Sequence, residues 1–274
     1  MRNDIEIRPL TRHVGAEVRG VDLREPLDDD RFEAIHQALL DHLVLFFHDQ
    51  DITPDQHVAF GRRFGELHVH PAAPCVDGRP ELMKIHADAS SPFAEGTRWH
   101  TDVSSEEEPP MASLLHLRIV PEVGGDTLFA SMYAAYDALS DTMKRILDPL
   151  EALHNSDVHR GRYEQVGGGL RREKYPEAVH PVIRTHPETG RKLIYVNAPF
   201  TKHIIGMKPA ESDALLQFLY AHCANPEFQC RFRWRTNSLA VWDNRSTQHL
   251  ATWDYYPATR SGVRVTVKGD RPRH

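Results

Sequence analysis

Short strand-like segments separated by turn residues are the feature that most restricts what this chain can fold into. In residues 228–234, apolar Phe, Cys, Phe and Trp alternate with polar Gln and Arg, which is the pattern of a strand with one buried face. Residues 43–47 are all apolar but too few for an independent helix, so they predict a buried strand. Further strands are predicted at residues 5–22, 82–85, 113–120, 127–129, 179–185, 192–196, 239–243 and 262–268.

Four helices are predicted between these strands. Thr53, Pro54 and Gln56 occupy the N-cap, N1 and N3 positions of a capping box, which predicts a helix start at this point. The other helices are predicted to follow the acidic residues 28–30, to begin after Ser140 and to begin at Pro209. The pattern is typical of a mainly β protein with flanking helices.

A single domain spanning residues 1–274 is expected, because no repeat or linker divides the chain. Many short strands favour a sandwich or a barrel, and a double-stranded β-helix (jelly roll) core is one such fold that protects its sheet edges. Residues 71–97 are rich in proline and glycine, which is typical of either a linker or a mobile cover; because they lead directly to a candidate site, we expect a mobile cover. Residues 155–178 are expected to form an insertion.

Composition and charge argue against nucleic acid and membrane partners. The formal net charge of −6 provides no basic face of the kind that nucleic acid binding requires. The first residues show no apolar signal region, and apolar runs such as residues 43–47 are far too short to span a bilayer. Cys75, Cys223 and Cys230 have neither metal-binding spacing nor the even count of a disulfide framework. We therefore expect a cytoplasmic enzyme with reduced cysteines that acts on a small molecule.

His100 and Asp102 form the first candidate site. If residues 98–102 are a strand, these two side chains share a face with their Cα atoms about 6.5 Å apart, and mixed nitrogen and oxygen ligands suit a divalent transition metal. His249, which follows a predicted strand, is the natural third ligand. Such a set leaves three coordination positions open, as in non-haem Fe(II) oxygenases, whereas a structural zinc site fills four. Spacing alone also allows unrelated histidines, because the chain has 18 of them.

Two arginines near the C-terminal end form a second candidate site. Arg260 and Arg264 are an even number of residues apart, so they share a face if one strand holds both. Val263, Val265 and Val267 would then take the opposite face. The face that carries the arginines must therefore meet either solvent or anions.

Three ordered motifs at matching separations carry a family resemblance. They are Trp99-His100-Thr101-Asp102, Gly124-Gly125-Asp126-Thr127 and Trp242-Asp243-Asn244-Arg245 followed by Gln248-His249. Shorter similarities run nearly end to end, at residues 61–65, 180–182, 195–197 and 269–272. In these motifs the chain resembles the taurine/2-oxoglutarate dioxygenase (TauD/TfdA) family.

The resemblance implies a complete set of roles for the candidate residues. His100, Asp102 and His249 would bind Fe(II), while Thr127 and Arg260 would hold the distal carboxylate of 2-oxoglutarate. The planar fork of an arginine matches a carboxylate, which agrees with that role. With O2 as the second cosubstrate, the implied reaction hydroxylates a substrate and releases succinate and CO2. The carboxylate ligand, which halogenating relatives lack, argues for hydroxylation.

The substrate implied by the resemblance is a small organic anion: a sulfonate such as taurine, an alkyl sulfate or an aryloxy acid. Hydroxylation next to the sulfur or oxygen would give an adduct that collapses with C–S or C–O cleavage. His70, Val103, Phe200 and Arg264 match the substrate-binding positions of the family.

Two departures from the taurine pattern leave the substrate open. Ala73 stands where the taurine enzymes have tyrosine, and Gly96 stands where they have asparagine. Two polar contacts of about 1 kcal/mol each are then missing, which favours a bulkier and more apolar anion.

Two other functions remain open, a jelly-roll binding protein without turnover and a zinc hydrolase that uses the same ligands. A homo-oligomer, dimer or tetramer, is expected.

Overall fold

The computed structural model describes residues 5–70, 73–161, 164 and 175–274. The α-helices whose full extent lies within these ranges are α1 (Asp29–His42), α2 (Pro54–Phe64), α3 (Met132–Asp137), α4 (Asp141–Leu147) and α5 (Pro209–Cys223). The strands are β1 (Glu6–Pro9), β2 (Ala16–Arg19), β3 (Val44–Phe47), β4 (Cys75–Val76), β5 (Arg79–Ala87), β6 (Ala112–Ile119), β7 (Thr127–Ser131), β8 (Glu151–Asn155), β9 (Glu177–Pro181), β10 (Ile183–Thr185), β11 (Lys192–Ile194), β12 (Thr201–Ile204), β13 (Gln229–Phe232), β14 (Ser238–Asp243), β15 (Thr247–Ala251) and β16 (Arg260–Val267).

An eight-stranded sheet is the largest element of the fold, with the strand order β1-β2-β3-β14-β6-β16-β5-β4. Its central strand β14 is buried on both faces. Ala240 and Trp242 face one hydrophobic core, whereas the alternate residues Leu239 and Val241 face a second core. The period of two in strand side chains therefore lets one strand serve two cores.

The first core lies between the large sheet and the three-stranded sheet β13-β7-β15. Phe46 of β3 stacks on Phe232 of β13 with ring centroids 3.9 Å apart, and the ring of Phe129 on β7 meets Phe46 edge-on at 5.6 Å. Aromatic pairs of this kind stabilise the contact beyond the area that they bury. Two sheets packed face to face, with few helices, confirm the expected mainly β fold with a jelly-roll core.

The second core lies under helices α1 and α2, on the outer face of the large sheet. Ile35 and Leu39 of α1 and Val58 of α2 pack there with apolar side chains of the sheet. The start of α2 confirms the predicted capping box. The Thr53 hydroxyl accepts from the backbone N–H of Gln56, and the Gln56 side chain accepts from the backbone N–H of Thr53. No helix within the described ranges is long and apolar enough to cross a membrane.

The proposed cover and insertion fall on segments that the structure describes only in part. The sequence predicted a strand at residues 82–85 alone, but β5 extends over Arg79–Ala87 and pairs with β16 inside the large sheet. Its proline, Pro80, lies beside the register shift in the pairing of β4 with β5, and a proline is tolerated at such an irregularity. Half of the insertion at 155–178 lies outside the described residues, and the mobility of residues 71–97 stays a prediction.

Buried His57 gives the fold a pH dependence that can be measured. The side chain is 1% exposed on α2, and its Nε2 lies 3.1 Å from the carbonyl oxygen of Leu114 on β6. Burial, aided by neighbouring His116, lowers its pKa to about 3. In the unfolded chain this histidine binds its proton at a higher pH, near its ordinary pKa of about 6.5. Folding stability is therefore lost as the pH falls from about 6.5 towards 3.

We therefore expect His57→Gln to weaken the acid sensitivity of the fold. Between pH 8 and pH 5.5, the free energy of unfolding should fall by about 1.4 kcal/mol less than in the wild type. Urea denaturation at the two pH values measures this difference. His13→Gln, a change at an exposed histidine, is the control and should behave as the wild type does. An unchanged pH response in His57→Gln would contradict the prediction.

Candidate active site

His100 and His249 are brought together by backbone pairing rather than by a regular strand at residues 98–102. The two residues form an isolated antiparallel bridge, in which His100 N donates to His249 O at 3.1 Å and His249 N donates to His100 O at 2.8 Å. His249 belongs to β15, whereas Asp102 lies in the turn that follows the bridge. The strand assumed for this segment is therefore wrong, although its two side chains still converge.

Three side chains form the candidate metal centre. The Oδ1 atom of Asp102 lies 3.9 Å from His100 Nε2 and 4.0 Å from His249 Nε2, and the ligand atoms of the three residues all lie within 4.8 Å of one another. Since metal ions bind such atoms at about 2.0–2.2 Å, separations of 3.9 and 4.0 Å fit a shared ion between the carboxylate and each imidazole. Among the described residues, no other group of three His, Cys, Asp or Glu side chains has this arrangement.

Both histidines are held in the neutral form that metal binding requires. Burial lowers the pKa of His100 and, more strongly, that of His249. The Nδ1 atom of His100 lies 2.7 Å from the carbonyl oxygen of Arg98, so it carries the proton and leaves Nε2 as the free ligand atom. Neither histidine would then repel an incoming cation.

The carboxylate of Asp102 is buried but remains ionised. Burial by itself would raise its pKa, but the positive charge of Arg264 and the hydrogen bond from Ser113 hold the pKa below its ordinary value. Its Oδ1 accepts from Arg264 Nη1 at 2.8 Å, and its Oδ2 accepts from Ser113 Oγ at 2.7 Å. Both oxygen atoms of this candidate ligand therefore have a partner.

Ser113 and Asn244 are residues that the sequence analysis did not assign to the site. Asn244 Nδ2 donates to Ser113 Oγ at 3.0 Å, and its Oδ1 accepts from Trp242 Nε1 at 2.9 Å. Ser113 lies opposite Trp242 in the pairing of β6 with β14. Asn244 lies in one of the recognised motifs, but the role of Ser113 depends on this register, which sequence spacing does not reveal.

A buried ion pair anchors the turn between β14 and β15, from which His249 follows. Burial would raise the pKa of Asp243, but Arg245 and His186 hold it low. Arg245 donates to both oxygen atoms of Asp243, and its Nη1 reaches Glu188 Oε1 at 2.6 Å. Breaking one partner of such a pair is costly, so the turn has a well-defined position.

Arg260 and Thr127 form a polar cluster in the same cavity. Arg260 Nη2 donates to Thr127 Oγ1 at 3.3 Å, and its Nε donates to the carbonyl oxygen of Gly125 at 3.0 Å. Trp234 Nε1 also donates to Thr127 Oγ1, at 2.9 Å. The predicted shared face is confirmed, since both Arg260 and Arg264 are buried and line the cavity.

Arg260 is a buried cation without an ion-pair partner in the part of the chain that the structure describes. The residue is 6% exposed, and burial lowers its pKa to about 10, which leaves it charged at neutral pH. An uncompensated charge inside a protein is costly, and an anionic ligand would offset that cost. The guanidinium is therefore a candidate carboxylate site.

A cavity of about 660 Å³ connects the three candidate metal ligands with Thr127 and the two arginines. Its wall includes every candidate residue from the sequence: His70, His100, Asp102, Val103, Thr127, Phe200, His249, Arg260 and Arg264. Val103 has a left-handed backbone with φ of 49°, and Phe200 is 3% exposed. The rest of the wall is largely apolar and includes Pro74, Phe93, Val158 and Pro199.

Comparison with known proteins identifies the family. Residues 6–266 match the family model described as "Taurine catabolism dioxygenase TauD, TfdA family". This chain belongs to the TauD/TfdA family. Membership confirms the expected class of enzyme, a 2-oxoglutarate-dependent dioxygenase.

Individual relatives of this TauD/TfdA chain are similar to it over nearly its whole length. An alpha-ketoglutarate-dependent sulfate ester dioxygenase of Pseudomonas putida is 36% identical, with 98% of this chain and 91% of the relative covered. The solved structure of a taurine dioxygenase from Burkholderia xenovorans is 39% identical with a TM-score of 0.85, covering 98% of this chain and 92% of that one. AAD-2, solved in complex with Mn(II) and N-oxalylglycine, is 33% identical with a TM-score of 0.82, covering 98% and 99%.

Gly96 packs against a candidate metal ligand in this TauD/TfdA chain. Its φ is 76°, and a Cβ atom built there would lie 3.3 Å from His100 Cε1 and 3.8 Å from Ala251 Cβ. The glycine therefore allows the loop to approach the imidazole closely, in a backbone conformation that other residues rarely adopt. Ala73, the other departure from the taurine pattern, donates its backbone N–H to His70 Nδ1 at 2.9 Å.

We expect Arg260→Leu to weaken 2-oxoglutarate binding by about 100-fold, since removing one partner of a buried charge pair costs about 2–5 kcal/mol. Calorimetric titration of 2-oxoglutarate into the Mn(II)-loaded protein measures the change. Arg233→Leu is the matched control, because Arg233 is exposed and contacts only the carbonyl oxygen of Glu122 among the described hydrogen bonds. Equal affinity in Arg260→Leu and the wild type would show that the carboxylate binds elsewhere.

Proposed function

We propose that this chain is an Fe(II)- and 2-oxoglutarate-dependent dioxygenase that hydroxylates a small organic anion. The observation that carries the proposal is one cavity that holds a three-ligand cluster and two buried arginines. His100, Asp102 and His249 would hold the iron. Bound there, Fe(II) would supply O2 activation coupled to decarboxylation of 2-oxoglutarate, with succinate and CO2 as products.

Arg260 and Thr127 are the proposed site for the distal carboxylate of 2-oxoglutarate. Arg260 supplies a positive charge that lacks a counter-ion among the described residues, and Thr127 supplies a hydroxyl group 3.3 Å from it. Trp234 packs beside the guanidinium, 5.5 Å from ring centroid to Cζ, and restricts its position. A dicarboxylate bound by this cluster would have its distal end fixed by charge and hydrogen bonding together.

Arg264 and His70 are the proposed site for the acidic group of the primary substrate. Arg264 is buried beside Asp102, and His70 lines the same cavity. The apolar part of the wall, with Phe93, Val158 and Phe200, would hold the organic part of the substrate. These surroundings support an alkyl or aryl anion, a sulfonate, sulfate ester or aryloxy acid, whose hydroxylated product loses its acidic group or ether partner by collapse.

A zinc hydrolase with the same three ligands is the second candidate. The ligand set of two imidazoles and one carboxylate also occurs in catalytic zinc sites. The cluster of Arg260 and Thr127 favours the dioxygenase, because a hydrolase has no use for a cosubstrate carboxylate site. A hydrolase would act without O2, so an anaerobic assay separates the two functions.

A substrate panel tests the proposed function directly. Taurine, hexyl sulfate and phenoxyacetate are incubated with the protein, Fe(II), 2-oxoglutarate and O2, and succinate is measured. We expect succinate that requires all three additions and is greatest with an anion that carries an apolar group. Absence of succinate with every compound, together with no calorimetric 2-oxoglutarate binding, would overturn the proposal.

Arg264→Leu should separate the primary substrate from the cosubstrate. Loss of the guanidinium should raise the KM of the best panel substrate by about 100-fold, because removing one partner of a buried charge pair costs about 2–5 kcal/mol. The affinity for 2-oxoglutarate, measured with saturating Mn(II), should stay within about twofold of the wild type, since Arg260 is unchanged. Loss of 2-oxoglutarate affinity instead would assign Arg264 to the cosubstrate.

The cytoplasmic location and the homo-oligomer, dimer or tetramer, are part of the same proposal. Light scattering on the purified protein would establish the oligomeric state.

A further inference from the structure

Arg264 already has an acceptor inside the protein. Its side chain is buried, and its Nη1 donates to Asp102 Oδ1 at 2.8 Å. Its Nη2 meets only a weak acceptor, Met83 Sδ at 3.2 Å, and its Nε is buried without a hydrogen-bond partner among the described residues. The guanidinium therefore keeps donors available for an anion while one arm is bound to a carboxylate.

The oxygen atom that Arg264 contacts is the one that faces both histidines. Oδ1 of Asp102 lies 3.9 Å from His100 Nε2 and 4.0 Å from His249 Nε2. The other oxygen, Oδ2, is held by Ser113 at 2.7 Å, so the carboxylate cannot simply rotate to offer a different atom. A metal ion at this centre and the guanidinium would therefore share one oxygen atom.

We propose that Arg264 couples the anion site to the metal site: it holds Asp102 Oδ1 in the substrate-free protein, and an anionic substrate that binds Arg264 releases this oxygen to the metal. The inference rests on the proposed function, which assigns the acidic group of the substrate to Arg264. Two effects act in the same direction. The anion, bound first by the free donors, draws the guanidinium away from Oδ1, and it neutralises a positive charge that repels the metal ion.

Coupling of this kind is reciprocal. If the anion raises metal affinity by some factor, the metal must raise anion affinity by the same factor. Couplings between sites are typically 5–150-fold, and a single bond to one shared oxygen atom leads us to expect about tenfold. The effect needs neither O2 nor 2-oxoglutarate, so it can be measured without turnover.

The test is a titration of Mn(II) into the metal-free full chain, with and without saturating hexyl sulfate and without 2-oxoglutarate. We expect hexyl sulfate to raise Mn(II) affinity about tenfold in the wild type. The Arg264→Met variant should bind Mn(II) about tenfold more tightly than the wild type with no anion present, and it should show no further gain on addition of hexyl sulfate. Calorimetry or the electron paramagnetic resonance signal of free Mn(II) reports both affinities.

Lys84→Met is the matched control, because Lys84 also lines the cavity and no hydrogen bond between it and Asp102 exists among the described residues. This variant should keep the full response to hexyl sulfate. The reverse titration, of hexyl sulfate into wild-type protein with and without Mn(II), should give the same factor. That measurement needs no variant, so poor folding of Arg264→Met would not leave the proposal undecided.

Three results would overturn the coupling. They are a wild-type Mn(II) affinity that hexyl sulfate binding leaves unchanged, an enhancement that persists in Arg264→Met, and unequal factors in the two titrations. If hexyl sulfate does not bind, equal Mn(II) affinity in Arg264→Met and the wild type overturns it. Failure of the proposed function is recognised separately, by the absence of succinate in the substrate panel.

Discussion

The buried carboxylate of Asp102 is the group on which the arrangement of the site depends. An ionised side chain inside a protein must be compensated, and here two donors and two neutral imidazoles surround it. The donors come from β6 and β16, and one imidazole comes from β15. Compensation of one charge therefore requires that both sheets are in place, which links the fold directly to the metal centre.

The jelly roll makes this convergence possible because its central strands are buried on both faces. In β14, alternate side chains serve two cores, so the strand is fixed in position before it reaches the turn at Asp243. The ion pair with Arg245 then defines that turn, and His249 follows on β15. The backbone bridge between His249 and His100 then brings the second imidazole beside the first. The position of His249 therefore depends on the packing of β14 and on the ion pair that defines the turn after it.

Much of the fold and of the site was predictable from local patterns, and the failures have physical reasons. Capping residues gave the helix starts because caps depend only on neighbours in the chain. The short helix α3 and strand β8 were missed, since six and five residues show too little periodicity. Ser113 was missed because its role depends on the register of β6 against β14, a long-range property. The motifs nevertheless located the three candidate metal ligands, although His100 lies in an isolated bridge and Asp102 in a turn rather than in the assumed strand.

Charge balance in the cavity explains why an anionic substrate suits this site. Its buried ionised side chains are one carboxylate, Asp102, and two guanidiniums, Arg260 and Arg264, which leave one positive charge. A divalent metal ion would raise this to three, and the dianion 2-oxoglutarate would reduce it to one. A monoanion at Arg264 would then bring these buried groups to neutrality, where the cost of buried charge is lowest. An additional ammonium group on the substrate would add a positive charge to this balance of buried groups, so their electrostatics favour sulfonates, sulfate esters or carboxylates with an apolar remainder.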